Sequence, residues 1–135
     1  LDWAELTDAV QPGDVVVSML PADLHSRVAD LCLQRGSHFV SSSYVSPAMQ
    51  ALDAETKAND LRFVNEVGLD PGIDHLMAHA LMADYQASGL MNPAHEHRFR
   101  SYCGGFPSAP NDFRYKFSWS PLGVLRALKT PSGPL

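Results

Sequence analysis

The sequence predicts an α/β protein: the second half of a doubly wound parallel sheet over residues 1–72, followed by the start of a mixed α+β domain over 73–135. Three observations predict it. Short β-branched apolar runs alternate with stretches of helical periodicity roughly 10–15 residues long. The links between them are short, and prolines preceded by serine or aspartate stand where helices would begin. After Gly89 the helical rhythm gives way to strand-like alternation and a Gly/Pro/Ser/Asn-rich loop.

Val15-Val16-Val17-Ser18-Met19-Leu20, entered from Pro12-Gly13-Asp14 and ended by Pro21, fits a strand buried on both faces of a parallel sheet. No element is expected before it. From Asp23 to Arg35, Leu24, Val28, Leu31 and Cys32 recur at helical spacing, and Gly36 stands where a left-handed cap would sit. His38 to Ser41 reads as a second strand, Ser46-Pro47 to about Asn59 as a helix, and Leu61 to Asn65 as a third strand. Strands and helices in this rotation indicate βαβ crossovers. Beyond Gly72 a longer helix is expected to about Ser88, with Ile73, Leu76, Met77, Ala80, Leu81 and Tyr85 along one stripe and Gly89 past its end. His95 to Tyr102 alternates as a strand would, Gly104 to Asp112 is a loop, Arg114 to Phe117 reads as a further strand, and Ser120-Pro121 opens a last helix.

At 135 residues the chain holds one domain's worth of core and not two, and with no initiator Met it reads as an internal piece of a longer protein. Hydrophobic residues make up 45% and charged residues 19%, yet no apolar run approaches the roughly 20 residues of a membrane helix. Cys32 and Cys103, with no sign of secretion, are expected as reduced thiols in the cytoplasm. The net charge of −5 divides unevenly. Residues 1–94 carry four Lys or Arg against thirteen Asp or Glu, whereas Arg98, Arg100, Arg114, Lys116, Arg126 and Lys129 face only Glu96 and Asp112 in the remainder. A cationic region after an acidic scaffold suits an anionic small molecule, or is simply a solvated surface; without interleaved stacking aromatics, nucleic acid is not expected.

Ser46-Pro47, Asp70-Pro71 and Ser120-Pro121 each pair a capping side chain with a proline suited to the first helical turn, and the first two follow a strand closely. Capping alone explains each pair. Their shared place at the carboxyl ends of strands is also where open α/β sheets bind anionic ligands. The G-x-G-x-x-G fingerprint of Rossmann-like dinucleotide folds is absent, because no three of the glycines at 13, 36, 68, 72, 89, 104, 105, 123 and 133 have that spacing. A phosphate loop, and the residue that separates NAD from NADP, are therefore expected upstream of Leu1.

Four segments then occur in order: Ser41-Ser42-Ser43-Tyr44-Val45-Ser46-Pro47-Ala48-Met49, Asn65-Glu66-Val67-Gly68-Leu69-Asp70-Pro71-Gly72-Ile73-Asp74-His75, Ser101-Tyr102-Cys103-Gly104-Gly105-Phe106-Pro107 and Tyr115-Lys116-Phe117-Ser118-Trp119-Ser120. Together with Val17-Ser18-Met19-Leu20-Pro21, the chain resembles saccharopine reductase, the glutamate-forming saccharopine dehydrogenase. The resemblance implies an NADP- or NAD-dependent, cytoplasmic enzyme of lysine metabolism. It would interconvert saccharopine with L-glutamate and aminoadipate semialdehyde by hydride transfer and imine hydrolysis. It implies a small-molecule partner and no nucleic acid or membrane, and leaves homodimerisation of the full-length protein open. The excised piece itself is expected to be inactive.

By the same resemblance Tyr44, Asp70 and Cys103 line the substrate pocket and are the catalytic candidates, with Ser43 and Leu69 beside them as substrate-binding positions. Met19, Leu20, Ser42, Gly68, Phe117 and Ser120, with Ser118 and Trp119 between the last two, match positions that face the dinucleotide. Read from the residues alone, Asp70 is a helix cap, Tyr44 a packed aromatic, Cys103 an inert small apolar residue, and Met19 and Leu20 core packing. The segment from Gly105 to Tyr115 is short and polar for the family, which bears on the pocket rim. His75 and His79, four apart on one helix, share a face as metal ligands would, and His95 and His97 share a face of a strand. Without H-E-x-x-H or a cysteine pair, ordinary histidines are the expectation. A related imine-reducing dehydrogenase such as carboxynorspermidine synthase, and a non-catalytic module that kept the fold, are the rival readings.

Overall fold

Three short strands, β1 (Val15–Ser18), β2 (His38–Ser41) and β3 (Phe63–Val64), form one parallel sheet in that order in the computed structural model, which describes residues 2–117 and 120–129. The register pairs Val16 with Phe39 and Phe39 with Phe63, and one step on pairs Val17 with Val40 and Val40 with Val64. Successive side chains on a strand point to opposite faces. Val16, Phe39 and Phe63 therefore share one face, and Val15, Val17, Val40 and Val64 the other.

The first face carries the core. α1 (Trp3–Ala9), α2 (His25–Arg35) and α3 (Pro47–Ala51) supply Trp3, Val28, Ala29, Cys32 and Met49, which pack with Phe39, Val16, Leu20, Leu52 and Phe63. Crossovers of one hand that step across a sheet in one direction lay their helices on one side, which explains the grouping. Phe39 is fully buried, worth about 2–3 kcal/mol of transfer free energy. The second face is open among the described residues: Val15 is 61% exposed and Val17 60%. That corrects the expectation of a β1 buried on both sides. The run is apolar enough for two-sided burial, but no described element lies over its second face.

Local chemistry sets the helix ends. Gly36 closes α2 in the left-handed region, with the Ser37 N–H to Cys32 C=O (2.9 Å) and Gly36 N–H to Leu33 C=O (3.3 Å) bonds of a Schellman ending. Ser46 Oγ accepts the Met49 N–H at 3.2 Å and Pro47 takes the first position of α3. The helix expected to Asn59 is in fact two, α3 and α4 (Asp53–Ala58), joined at Leu52. α1 was not expected. Asp2 caps it through the N–H groups of Ala4 and Glu5 at 2.9 and 3.3 Å.

The chain groups into two compact units, residues 1–99 and 100–135. The first ends with α5 (Ile73–Ala87), whose apolar stripe is not buried: Leu76 and Met77 are 70% and 67% exposed. The helix forms where expected, and no described element covers its apolar stripe. Residues 95–102 and 114–117 are irregular rather than strands, because neither finds a ladder partner. In the second unit Tyr115 stands between Phe113 and Phe117 in edge-to-face contacts with centroids 6.0 and 5.3 Å away. There α6 (Pro121–Ala127) begins as expected, with Ser120 Oγ accepting the Gly123 N–H at 3.1 Å.

Candidate active site

The carboxyl ends of the three parallel strands meet along one edge, and polar side chains secure it. Ser18, the last residue of β1, is 4% exposed and its hydroxyl shares a hydrogen bond with His25 Nδ1 at 2.9 Å. Ser41, the last of β2, is 1% exposed and donates to Asn65 Oδ1 at 3.0 Å. His25 packs edge-on to Phe39, and burial lowers its pKa despite the opposing charge of Asp23. Its imidazole is neutral at neutral pH.

Two loops leave this edge side by side. The first, after β2, carries Ser42, Ser43 and Tyr44; the second, after β3, carries Glu66 to Gly72. They are stitched by the Val67 N–H to Ser41 C=O bond (3.2 Å), the Glu66 N–H to Ser43 C=O bond (3.1 Å) and the Val45 N–H to Glu66 Oε1 bond (3.1 Å). Gly68 lets the loops pass closely, since a Cβ there would stand 3.0 Å from Ser42 Cβ of the other loop and 3.1 Å from Pro71 O of its own. A glycine is required at 72 as well. Its φ is 145°, and a Cβ would meet the backbone of Gly68 and lie 2.8 Å from Glu66 O.

The stitching delivers Tyr44 to Asp70, 26 residues away in sequence, where the phenol donates to Asp70 Oδ1 at 2.8 Å. That bond is the main reason the Tyr44 hydroxyl is pushed up to about 12; lost hydration and the negative charges of Asp70, Asp74 and Glu66 add to it. At neutral pH Tyr44 is therefore a proton-bearing donor and not a base. Asp70 does not cap α5, contrary to the capping reading. The peptide Asp70–Pro71 is cis, Gly72 precedes the helix, and Asp74 Oδ1 takes the Gly72 N–H at 2.7 Å. Desolvation pushes the Asp74 carboxyl up, but the N–H of Gly72 and the His75 ring outweigh it and hold it low.

The first-turn N–H groups of α5 are also spent. Ile73 bonds Gly68 O (2.9 Å), Asp74 bonds Leu69 O (3.0 Å), and His75 and Leu76 bond Gly72 O (3.1 and 3.3 Å). The expectation that this helix end offers free donors to an anion is thereby corrected: the preceding loop consumes them. What the edge presents instead is a phenol and a carboxylate, suited to a protonated amine.

Of the other expected positions, Ser43 is half-buried and Leu69 is 65% exposed, flanking the pair. Met19 is 81% exposed at the end of β1, Ser42 is exposed, and Leu20 packs against the core. Leu20 thus shows the packing its residue type suggests. Cys103, Phe117 and Ser120 lie in the second unit: Cys103 is exposed, Phe117 39% exposed, and Ser120 caps α6. Ser118 and Trp119 lie outside the described residues. His75 and His79 line, with Ala78, Met82 and Phe99, an open hollow of about 200 Å³. His97 bonds Tyr85 Oη (2.6 Å) and Asn92 O (2.8 Å). Sequence reasoning missed His25, Asn65 and Glu66 as site-forming residues. Asn65 and Glu66 stood inside a quoted segment without being singled out, and His25, seven residues beyond the end of β1, had no local signal.

A dinucleotide finds partial fit in what is present. Met19 offers an exposed apolar surface and Ser42 an exposed hydroxyl at the same sheet edge, where such cofactors bind.

Comparison with known proteins gives this geometry its relatives. Residues 2–64 match the saccharopine dehydrogenase NADP binding domain and residues 68–133 the saccharopine dehydrogenase C-terminal domain. The chain is 43% identical over 131 residues to a saccharopine dehydrogenase [NADP(+), L-glutamate-forming] of Pyricularia oryzae, covering 95% of this chain and 28% of that protein. It is 40% identical over 134 residues to an alpha-aminoadipic semialdehyde synthase of Arabidopsis thaliana, covering 97% of this chain and 12% of that one. A solved apo saccharopine dehydrogenase (L-Glu forming) from Saccharomyces cerevisiae superposes with a TM-score of 0.60 at 34% identity, over 93% of this chain and 27% of that one. The chain therefore spans little more than a quarter of the fungal relatives. Two models of one family match residues 2–64 and 68–133 in succession, and on that ground the chain belongs to the saccharopine dehydrogenase family.

Proposed function

We propose that the full-length protein containing this chain interconverts saccharopine with L-glutamate and aminoadipate semialdehyde, using NADP. The observation that carries the reading is the Tyr44–Asp70 hydrogen bond at the carboxyl edge of a parallel sheet, in a segment matched by that family's models. Oxidation takes a hydride from the carbon beside the secondary amine and a proton from the nitrogen. Water then adds to the resulting imine carbon and the C–N bond breaks, leaving the amine of glutamate and an aldehyde. NADP, when bound, supplies the hydride acceptor.

The chain's own residues divide the remaining work. Asp70 accepts a hydrogen bond from the substrate ammonium, displacing or sharing the one it takes from Tyr44, and Tyr44 stays protonated to donate to a substrate carboxylate, or to the reacting nitrogen in its neutral amine form. Ser43 and Leu69 border them, and Cys103 completes the substrate-binding set. Met19, Leu20, Ser42 and Gly68, together with Phe117 and Ser120, are the proposed dinucleotide-facing positions. Residues 1–72 are proposed as the end of the nucleotide domain and 73–135 as the start of the substrate domain. A cytoplasmic location is part of the same reading, although a mouse relative's name places it in mitochondria.

Purified full-length protein should reduce NADP+ in the presence of saccharopine. Asp70→Asn should lower kcat/KM for saccharopine by about 100-fold, the loss of one charge-assisted contact of ~2.7 kcal/mol. Turnover of carboxynorspermidine but not saccharopine would replace this substrate, and failure to bind NADPH at all would remove the enzymatic reading.

A further inference from the structure

We infer that Glu66 is a positioning residue for Tyr44, gripping the residues on both sides of it. This rests on the functional reading above only for its kinetic consequence. The Glu66 N–H donates to Ser43 O, before Tyr44, and its Oε1 accepts the Val45 N–H, after it, both at 3.1 Å. One residue thus holds both peptide neighbours of a phenol that is itself 59% exposed and has little packing to fix it. The grip also crosses from the β3 loop to the β2 loop, so it sets the separation across which Tyr44 meets Asp70 at 2.8 Å.

The backbone at 66 supports a role beyond solubility. Glu66 has a φ of 62°, in the left-handed region that glutamate disfavours and glycine adopts freely. The carboxylate at this strained position accepts from the amide next to Tyr44.

The same conformation makes the test clean, because Glu66→Gly removes the carboxylate while relieving the backbone. Glu66→Gln keeps the acceptor oxygen and removes only the charge. In the full-length protein, Glu66→Gly should lower kcat/KM for saccharopine about tenfold, leave the KM for NADP+ and the Tm unchanged, and speed amide exchange at Val45. Glu66→Gln should stay within about threefold of the parent, with Val45 protected. The inference is overturned if Glu66→Gly keeps full kcat/KM, if cofactor KM and Tm move together with it, or if Gln fails as badly as Gly. Were the parent protein inactive on saccharopine, the functional reading would fall, and exchange at Val45 in the two variants would still decide whether Glu66 holds the loop.

Discussion

The His25 ring sits 6.2 Å from the centre of Phe39 and is 4% exposed, so a proton added to it has to be held in apolar surroundings with a single hydroxyl partner. Its folded pKa is depressed below the usual value of about 6.5. A base kept neutral by burial contributes stability that is complete above its unfolded pKa and is lost as pH falls through and below that value. Urea unfolding measured from pH 8 down to 5 should show a loss below about 6.5 that is shallower in His25→Asn, where the amide preserves the bond to Ser18 without titrating. A parallel decline in both proteins would show that His25 is not the group responsible. At this scale little of the site was legible from residue types. Tyr44 and Asp70 read locally as an aromatic and a cap, and only the resemblance drew them to one pocket; the bond that joins them spans 26 positions and has no local signature. Glu66 stood inside a quoted segment, but its function depends on a positive φ that the sequence does not announce.

Helix boundaries were the most readable feature, because a cap is chemistry within three residues. Gly36, Ser46-Pro47 and Ser120-Pro121 end or begin helices as their side chains require. Asp70-Pro71 has the same composition and does something else, since Gly72 and Asp74 start α5 instead. The glycine is what admits that start. Gly72→Ala would thrust a Cβ to 2.6 Å from Gly68 N and 2.8 Å from Glu66 O at a φ of 145°, and should cost about 3 kcal/mol or more, read as a Tm lowered by several degrees. An unchanged melting curve would mean that the Gly68–Gly72 turn relaxes without loss. Strands were harder than helices for a physical reason. A strand needs a partner's N–H and C=O groups, so the alternation at 95–102 was not sufficient to make one, whereas Val15–Ser18 and His38–Ser41 found each other in register. α1 escaped notice because its cap, Asp2, precedes only seven helical residues with no buried side chain.

Across the whole molecule the α/β class and the parallel sheet followed from the alternation of runs, but the sidedness of the layers did not. Every helix of the core lies against Val16, Phe39 and Phe63, and the valines at 15, 17, 40 and 64 remain on the other side. Parallel sheets are stable when both faces are covered, so the full-length protein is expected to lay a further layer over these valines. Val17→Thr tests this in that protein: a covered position should lose about 1–2 kcal/mol in urea unfolding from the buried hydroxyl, and a bare one less than about 0.5. The same row of valines governs how the 135 residues behave in a flask. A wet aliphatic ladder beside the margin of β1, which pairs with no further strand among the described residues, is a template on which copies can stack, so crowding and sulfate would drive the peptide toward particles while its acidic half keeps dilute chains apart.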